Sequence, residues 1–148
     1  MQMLSDRLVQ IIQDHAGELT QGVLNDLAKN PRTAAYHMLP RTELHNRVYD
    51  VYRNLGQWIT EKAEGPVSST YMALGRTRRA EEIPLQQVVQ ALIVTKRHIV
   101  SYVRSSLPVD TAVELHQEEE LNLMLGRFFD NAIYFTVKGY EQASVEQS

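Results

Sequence analysis

Apolar and polar positions alternate at helical spacing along almost the whole chain, most sharply in Ile83–Ser106, IPLQQVVQALIVTKRHIVSYVRSS. With Leu92 at the centre of one helical face, Leu85, Val88, Val89, Ile99 and Val103 fall within about 60° of it at 100° per residue, which predicts a core-facing stripe. Lys96 falls inside that stripe and Thr95 lies at its margin, so a cation is expected on the most apolar surface of the protein. Two outcomes are open for it. Its stem can lie on apolar surface with the ammonium in water. Alternatively, it reaches a buried carboxylate or an anionic ligand in a cavity between this helix, the helix that follows Thr42 and the C-terminal helix. Thr95, Trp58 and Tyr52 are the other expected lining residues of such a cavity.

The same periodicity predicts the remaining elements. Leu4, Leu8, Ile11, Ile12, Leu19, Val23 and Leu27 give a first helix from Leu4 to Ala28, ended near Asn30-Pro31 because the residue before a proline is pushed away from helical angles. Residues 31–41 are too short between prolines for a long helix and should form a turn or one short helical segment packed by Tyr36, Met38 and Leu39. Thr42 is expected to cap a helix whose apolar face is Leu44, Val48, Val51, Tyr52, Leu55 and Ile59, with a stop at Glu64-Gly65-Pro66. Gly56 lies inside it, where glycine costs about 1 kcal/mol against alanine, and is expected to let another helix approach closely.

A further helix should begin near Ser68 or Ser69 and carry Tyr71, Leu74 and Gly75 into the charged run Arg76, Arg78, Arg79, Glu81, Glu82. Pro84 suits the first turn of the next helix, and Ser105-Ser106-Leu107-Pro108 reads as the turn after it. Thr111 and Glu114 form a T-x-x-E capping box for a final helix running to about Gln142, with a polar, frayed tail over residues 143–148. Leu121, Leu125, Phe128, Phe129, Ala132, Ile133, Thr136 and Tyr140 share its broad face. Leu123, Tyr134 and Val137 lie nearly opposite and are the expected dimer or partner interface. Strand alternation, hairpin turns and internal repeats are not evident. The expected fold is therefore all-α, a globin-like or irregular bundle of five to six helices in a single domain over residues 1–148.

Composition narrows the chemistry more than the fold. The chain has no cysteine, which removes disulfides, thiolate nucleophiles and cysteine-based zinc sites together. A formal net charge of −3 supplies no global field for nucleic acid. Arg76, Arg78, Arg79, Lys96, Arg97 and Arg104 could still form a local basic patch, but the simpler expectation is that they pair with Glu81, Glu82 and acids of the last helix. No apolar run approaches the roughly 18 residues needed to span a bilayer, and the N-terminus lacks a cationic leader region, so a cytoplasmic protein without a membrane anchor is expected.

None of the five histidines, His15, His37, His45, His98 and His116, pairs with another at helical i,i+3 or i,i+4 spacing, and H-E-x-x-H is absent, so no metal is expected. Haem needs one axial histidine, for which His15 and His98 are the candidates. His15 is expected as a hydrogen-bonded core residue, and His98 sits about 120° from the centre of its stripe. Nucleophile elbows, phosphate-binding glycine loops and paired catalytic carboxylates are also missing, so neither a catalytic residue nor a cofactor is expected. Glu118-Glu119-Glu120 reads as a solvated segment that also suits the helix dipole.

The runs RTELHNRVYDVYRNLGQWI (Arg41–Ile59), YMALGRTRRAEEIPLQQVVQALIVTKRHI (Tyr71–Ile99) and RFFDNAIYFTVKGYE (Arg127–Glu141) together resemble the N-terminal domain of the RsbT co-antagonist (RsbRD-type) proteins. The resemblance implies a bacterial sensory or regulatory module of the stress-response kind, with a globin-like fold without haem, that dimerises and passes a signal to an output domain or partner protein. It carries no ligand-binding residues onto numbered positions. Because the chain stops at Ser148, just after the helix that would lead into an output domain, either a free-standing module or an excised sensor is expected. The alternative from another class is a small-molecule binding protein holding an apolar or anionic ligand, haem included, between the three helices named above.

Overall fold

A computed structural model describes residues 4–61, 65–106 and 111–147. The stop at Glu64, the turn residues Leu107 and Pro108, and the side chains of Leu4, Leu8 and Ile11 lie outside what it describes. Among the described residues the fold is an all-α bundle: α1 (Leu4–Lys29), a 3-10 helix (Pro31–Met38), α2 (Arg41–Glu61), α3 (Gly65–Ala80), α4 (Leu85–Ser106) and α5 (Ala112–Gln147). Helix α1 packs on α2 and α4, and α3 lies along α5, which also crosses α4.

Local chemistry sets the boundaries. The Asn30 side chain accepts from the Arg32 amide at 2.9 Å and Pro31 opens the 3-10 helix, which stops α1 where the proline rule places the stop. Thr111 Oγ1 accepts from the Glu114 amide at 3.1 Å, the capping-box bond expected of this pair. Between α3 and α4 the chain turns through Glu82 at φ 61, with Ile83 N–H donating to the Arg78 carbonyl and Glu82 N–H to that of Arg79. These two bonds are a Schellman closure, formed here on a non-glycine residue.

Four expectations need correction. Helix α3 begins at Gly65, ahead of Ser68, because Pro66 falls in its first turn, where no amide hydrogen is required. Helix α5 does not fray at Gln142: Ala143 is buried, and Ser144 Oγ accepts from Arg79 Nε at 2.8 Å. Met38 does not pack the 3-10 helix but is 89% exposed, leaving Tyr36 to fill the core. Gly56 is buried, yet a Cβ there would meet only Ile12 Cγ2 at 4.0 Å, an ordinary contact.

The close approach lies elsewhere, between α3 and α5. A Cβ at Gly75 would overlap the Thr136 carbonyl and sit 2.6 Å from the Tyr140 nitrogen, and one at Gly139 would overlap the Met72 carbonyl and lie 2.8 Å from its Cα. The two glycines thus let the helix backbones touch. Around this pair the core is completed by Tyr71, Phe128 and Phe129, stacked edge to face at centroid distances of 5.9 and 5.2 Å.

Helix α4 explains where Lys96 goes. Ala91, Val94 and Thr95 are buried together with Val88, Leu92, Ile99 and Val103. The packed sector is therefore rotated by about 60° from the Leu92 direction, away from Lys96. Lys96, Leu85 and Val89 are left half-buried along one edge.

Candidate functional site

A cavity of about 370 Å3 opens between α2, α3, α4 and the 3-10 helix, with Leu27 of α1 at its floor. Its depth is apolar, formed by Leu27, Val48, Val51, Leu74, Val88 and Leu92, while Arg47, Asp50 and Arg53 stand at its rim. No residue of α5 lines it, so this cavity is not the one expected between α2, α4 and α5.

Of the four expected lining residues only Thr95 is there. Its hydroxyl donates to the Ala91 carbonyl at 2.8 Å, an intrahelical bond that hides its polarity. Tyr52 is fully buried beside the cavity and donates to the Thr95 carbonyl at 2.9 Å, pinning α2 to α4. Trp58 turns to the opposite side of α2 and packs on Phe128 at 5.8 Å. Lys96 does not reach the cavity.

The cation of the site is Arg78. Positions 71, 74 and 78 recur at helical spacing, so α3 presents Tyr71, Leu74 and Arg78 together as one wall. Arg78 is 3% exposed. Its Nη1 donates to Glu81 at 2.9 Å and lies 3.5 Å from Glu43, and its guanidinium stands over the Tyr36 ring at 5.2 Å. Of the pairs expected for this run with Glu81, Glu82 and acids of the last helix, Arg78–Glu81 is present, and Glu43 of α2 is a partner that was not expected. Arg79, in contrast, holds Ser144 of α5 and stands over Tyr140 at 5.9 Å.

Two polar atoms of this wall are left over. Arg78 Nε and the Tyr71 hydroxyl are buried and have no hydrogen-bond partner among the described residues. Asn54 is close enough to the Tyr71 hydroxyl to lower its pKa somewhat, but no hydrogen bond is completed. Burial dominates that hydroxyl and pushes its pKa upward, with the charge of Asp50 adding to the rise. Burial likewise raises Tyr36 to about 12 against the opposing charge of Arg78, and raises Tyr52 as well. All three phenols are therefore neutral donors at physiological pH.

These shifts have a stability consequence with a definite sign. The folded pKa values exceed the unfolded value of about 10, so the stabilisation is complete below about pH 10 and is lost as pH rises through the folded values. Unfolding free energy should hold up to about pH 9.5 and then fall by about 1.4 kcal/mol per pH unit for each of the three tyrosines. Urea denaturation at a series of alkaline pH values checks this, and Tyr52→Phe should reduce the slope by about a third.

The histidines are placed away from the cavity. His98 Nε2 lies 3.0 Å from Asp26 Oδ2, and His15 is half-buried, against the expected core position, with Nδ1 3.2 Å from Glu18 Oε2 and its ring beside Tyr102. No histidine lines the cavity, so neither candidate is positioned to hold a haem there. Among the described residues no three acidic or histidine side chains gather as a metal site, and no helix is long and apolar enough to cross a membrane. Compared with known protein families, curated protein sequences and solved structures, the chain matches none.

Proposed function

We propose that the chain is a non-catalytic regulatory domain that binds a compact amphipathic anion in the α2–α3–α4 cavity and passes its occupancy to α5. The observation that carries this reading is the pair of unpartnered buried donors, Arg78 Nε–H and Tyr71 O–H, on two residues that line the cavity; both atoms are covered in this packing, so a ligand acceptor reaches them only through a shift of α3. Each unmet donor costs about 1–3 kcal/mol, which an acceptor on a ligand would offset. Arg47, Arg53 and Arg78 line the cavity with Asp50, and Glu43 and Glu81 already pair with Arg78 while Glu43 also reaches Arg47 at 3.8 Å, so the preference for an anion rests on the one guanidinium N–H of Arg78 left without a partner and on Arg53 at the rim. The two donors are seven residues apart, about 10 Å along α3, which suits an apolar body with a carboxylate at Arg78 and a hydroxyl or carbonyl near Tyr71.

The wall that would hold the ligand is joined directly to α5. Gly75 lies between Tyr71 and Arg78 and meets the α5 backbone, and Arg79 holds the far end of α5 at Ser144. A ligand that binds one packing of α3 better than another would shift α5 with it, which is the physical content of a signal. The resemblance to co-antagonist sensory domains supports the same role, with a globin-like fold, a homodimer and a fused or separate output partner as its expected setting.

Isothermal titration with 8-hydroxyoctanoate and 4-hydroxyphenylacetate tests the proposal. At least one probe should bind, Ala91→Phe should abolish binding by filling the cavity, and Tyr71→Phe should weaken it about tenfold. Lys96→Met should leave binding unchanged. Affinity for neither probe at millimolar concentration, or full affinity in Ala91→Phe, would contradict it.

A further inference from the structure

Helix α5 carries a second pattern on the side away from the core. His116, Glu120, Leu123, Arg127, Asp130, Tyr134, Val137 and Glu141 follow one another at steps of four and three residues and so form one face of the helix, in which Leu123, Tyr134 and Val137 are set among charged residues. Leu123 and Tyr134 are 64% and 60% exposed, although both are large and apolar. The face is symmetric about the midpoint between Phe128 and Phe129. Leu123 and Tyr134 are equally far from that point, as are Arg127 and Asp130, Glu120 and Val137, and His116 and Glu141.

We propose that a second copy of this chain docks here, α5 against α5, antiparallel, with Leu123 against Tyr134 of the partner subunit. In that register Arg127 faces Asp130 of the partner subunit and the two-fold axis repeats the pair, so the patch is complementary to itself. His116 faces the partner subunit's Glu141. Glu120, already held by His116 at 3.1 Å, covers the partner's Val137 with its stem. A parallel pair would instead set Arg127 on Arg127 and Asp130 on Asp130, each a like-charge contact in that face. Charge therefore selects the antiparallel orientation. The docking rests on the homodimer named under the proposed function and is independent of the cavity.

Absence of cysteine makes orientation directly measurable. Mixing Leu123→Cys with Tyr134→Cys under mild oxidation should give a covalent dimer, while each variant alone should give several-fold less. Predominant self-cross-linking of Leu123→Cys would overturn the antiparallel register. All the substituted positions are exposed, so folding is not at stake. In sedimentation equilibrium at low salt, Arg127→Asp and Asp130→Arg should each raise the dissociation constant at least tenfold, and the double variant should return it to within about threefold of the parent. A double variant no tighter than the singles would overturn the proposal. So would a parent chain that stays monomeric to millimolar concentration, even if α5 were then found to hold a different protein.

Discussion

Gly75→Ala is expected to lower the unfolding free energy by about 3 kcal/mol or more. The new Cβ would meet the Thr136 carbonyl and the Tyr140 nitrogen, which are backbone and cannot rotate aside. Relief requires α3 and α5 to separate, and that would loosen the Tyr71–Phe128–Phe129 cluster between them. Gly139→Ala should have a loss of the same order through Met72. At Gly17, where a Cβ meets nothing within 4 Å, alanine should instead stabilise by about 0.5–1 kcal/mol through helix propensity. Chemical denaturation of the three variants checks the contrast.

Arg78→Leu should weaken binding of the anionic probes by about ten- to a hundredfold, the value of a hydrogen bond between charged groups. It should also lower stability by about 1–3 kcal/mol, since Glu43 and Glu81 are left facing a site without its cation. Those side chains are 34% and 22% exposed, so water takes up part of the loss, which stays below the cost of breaking a fully buried pair. Arg78→Lys separates the two roles. A lysine keeps the charge between the carboxylates but has no Nε–H to donate, so stability should largely return and binding should not.

The helices themselves were legible because their apolar faces repeat at the helical period and their ends carry chemistry with local effect, as at Asn30-Pro31 and Thr111-x-x-Glu114. The site was not. Its walls come from four helices and a 3-10 segment, and nothing local in the sequence says which faces leave space between them. The buried cation is Arg78, whereas apolar periodicity alone points to Lys96. The buried Ala91, Val94 and Thr95 count for little by hydrophobicity, yet they turn α4 and put Lys96 at its edge. Arg78 was concealed in a run of charges and grouped with Arg76 and Arg79. Its spacing from Tyr71 and Leu74 was the one available sign that it faces inward. Gly75 and Gly139 gave no local sign of their roles, because each depends on the backbone of a helix distant in sequence.

The central claim is that a ligand in the cavity engages the unpartnered Arg78 Nε–H, and nuclear magnetic resonance reads that donor directly. In the 15N-labelled chain, the Arg78 Nε–Hε resonance should shift progressively and saturably as 4-hydroxyphenylacetate or 8-hydroxyoctanoate is added, and the shift should vanish in Ala91→Phe. A resonance that stays in place through millimolar additions of both probes, or that moves equally in Ala91→Phe, would contradict it.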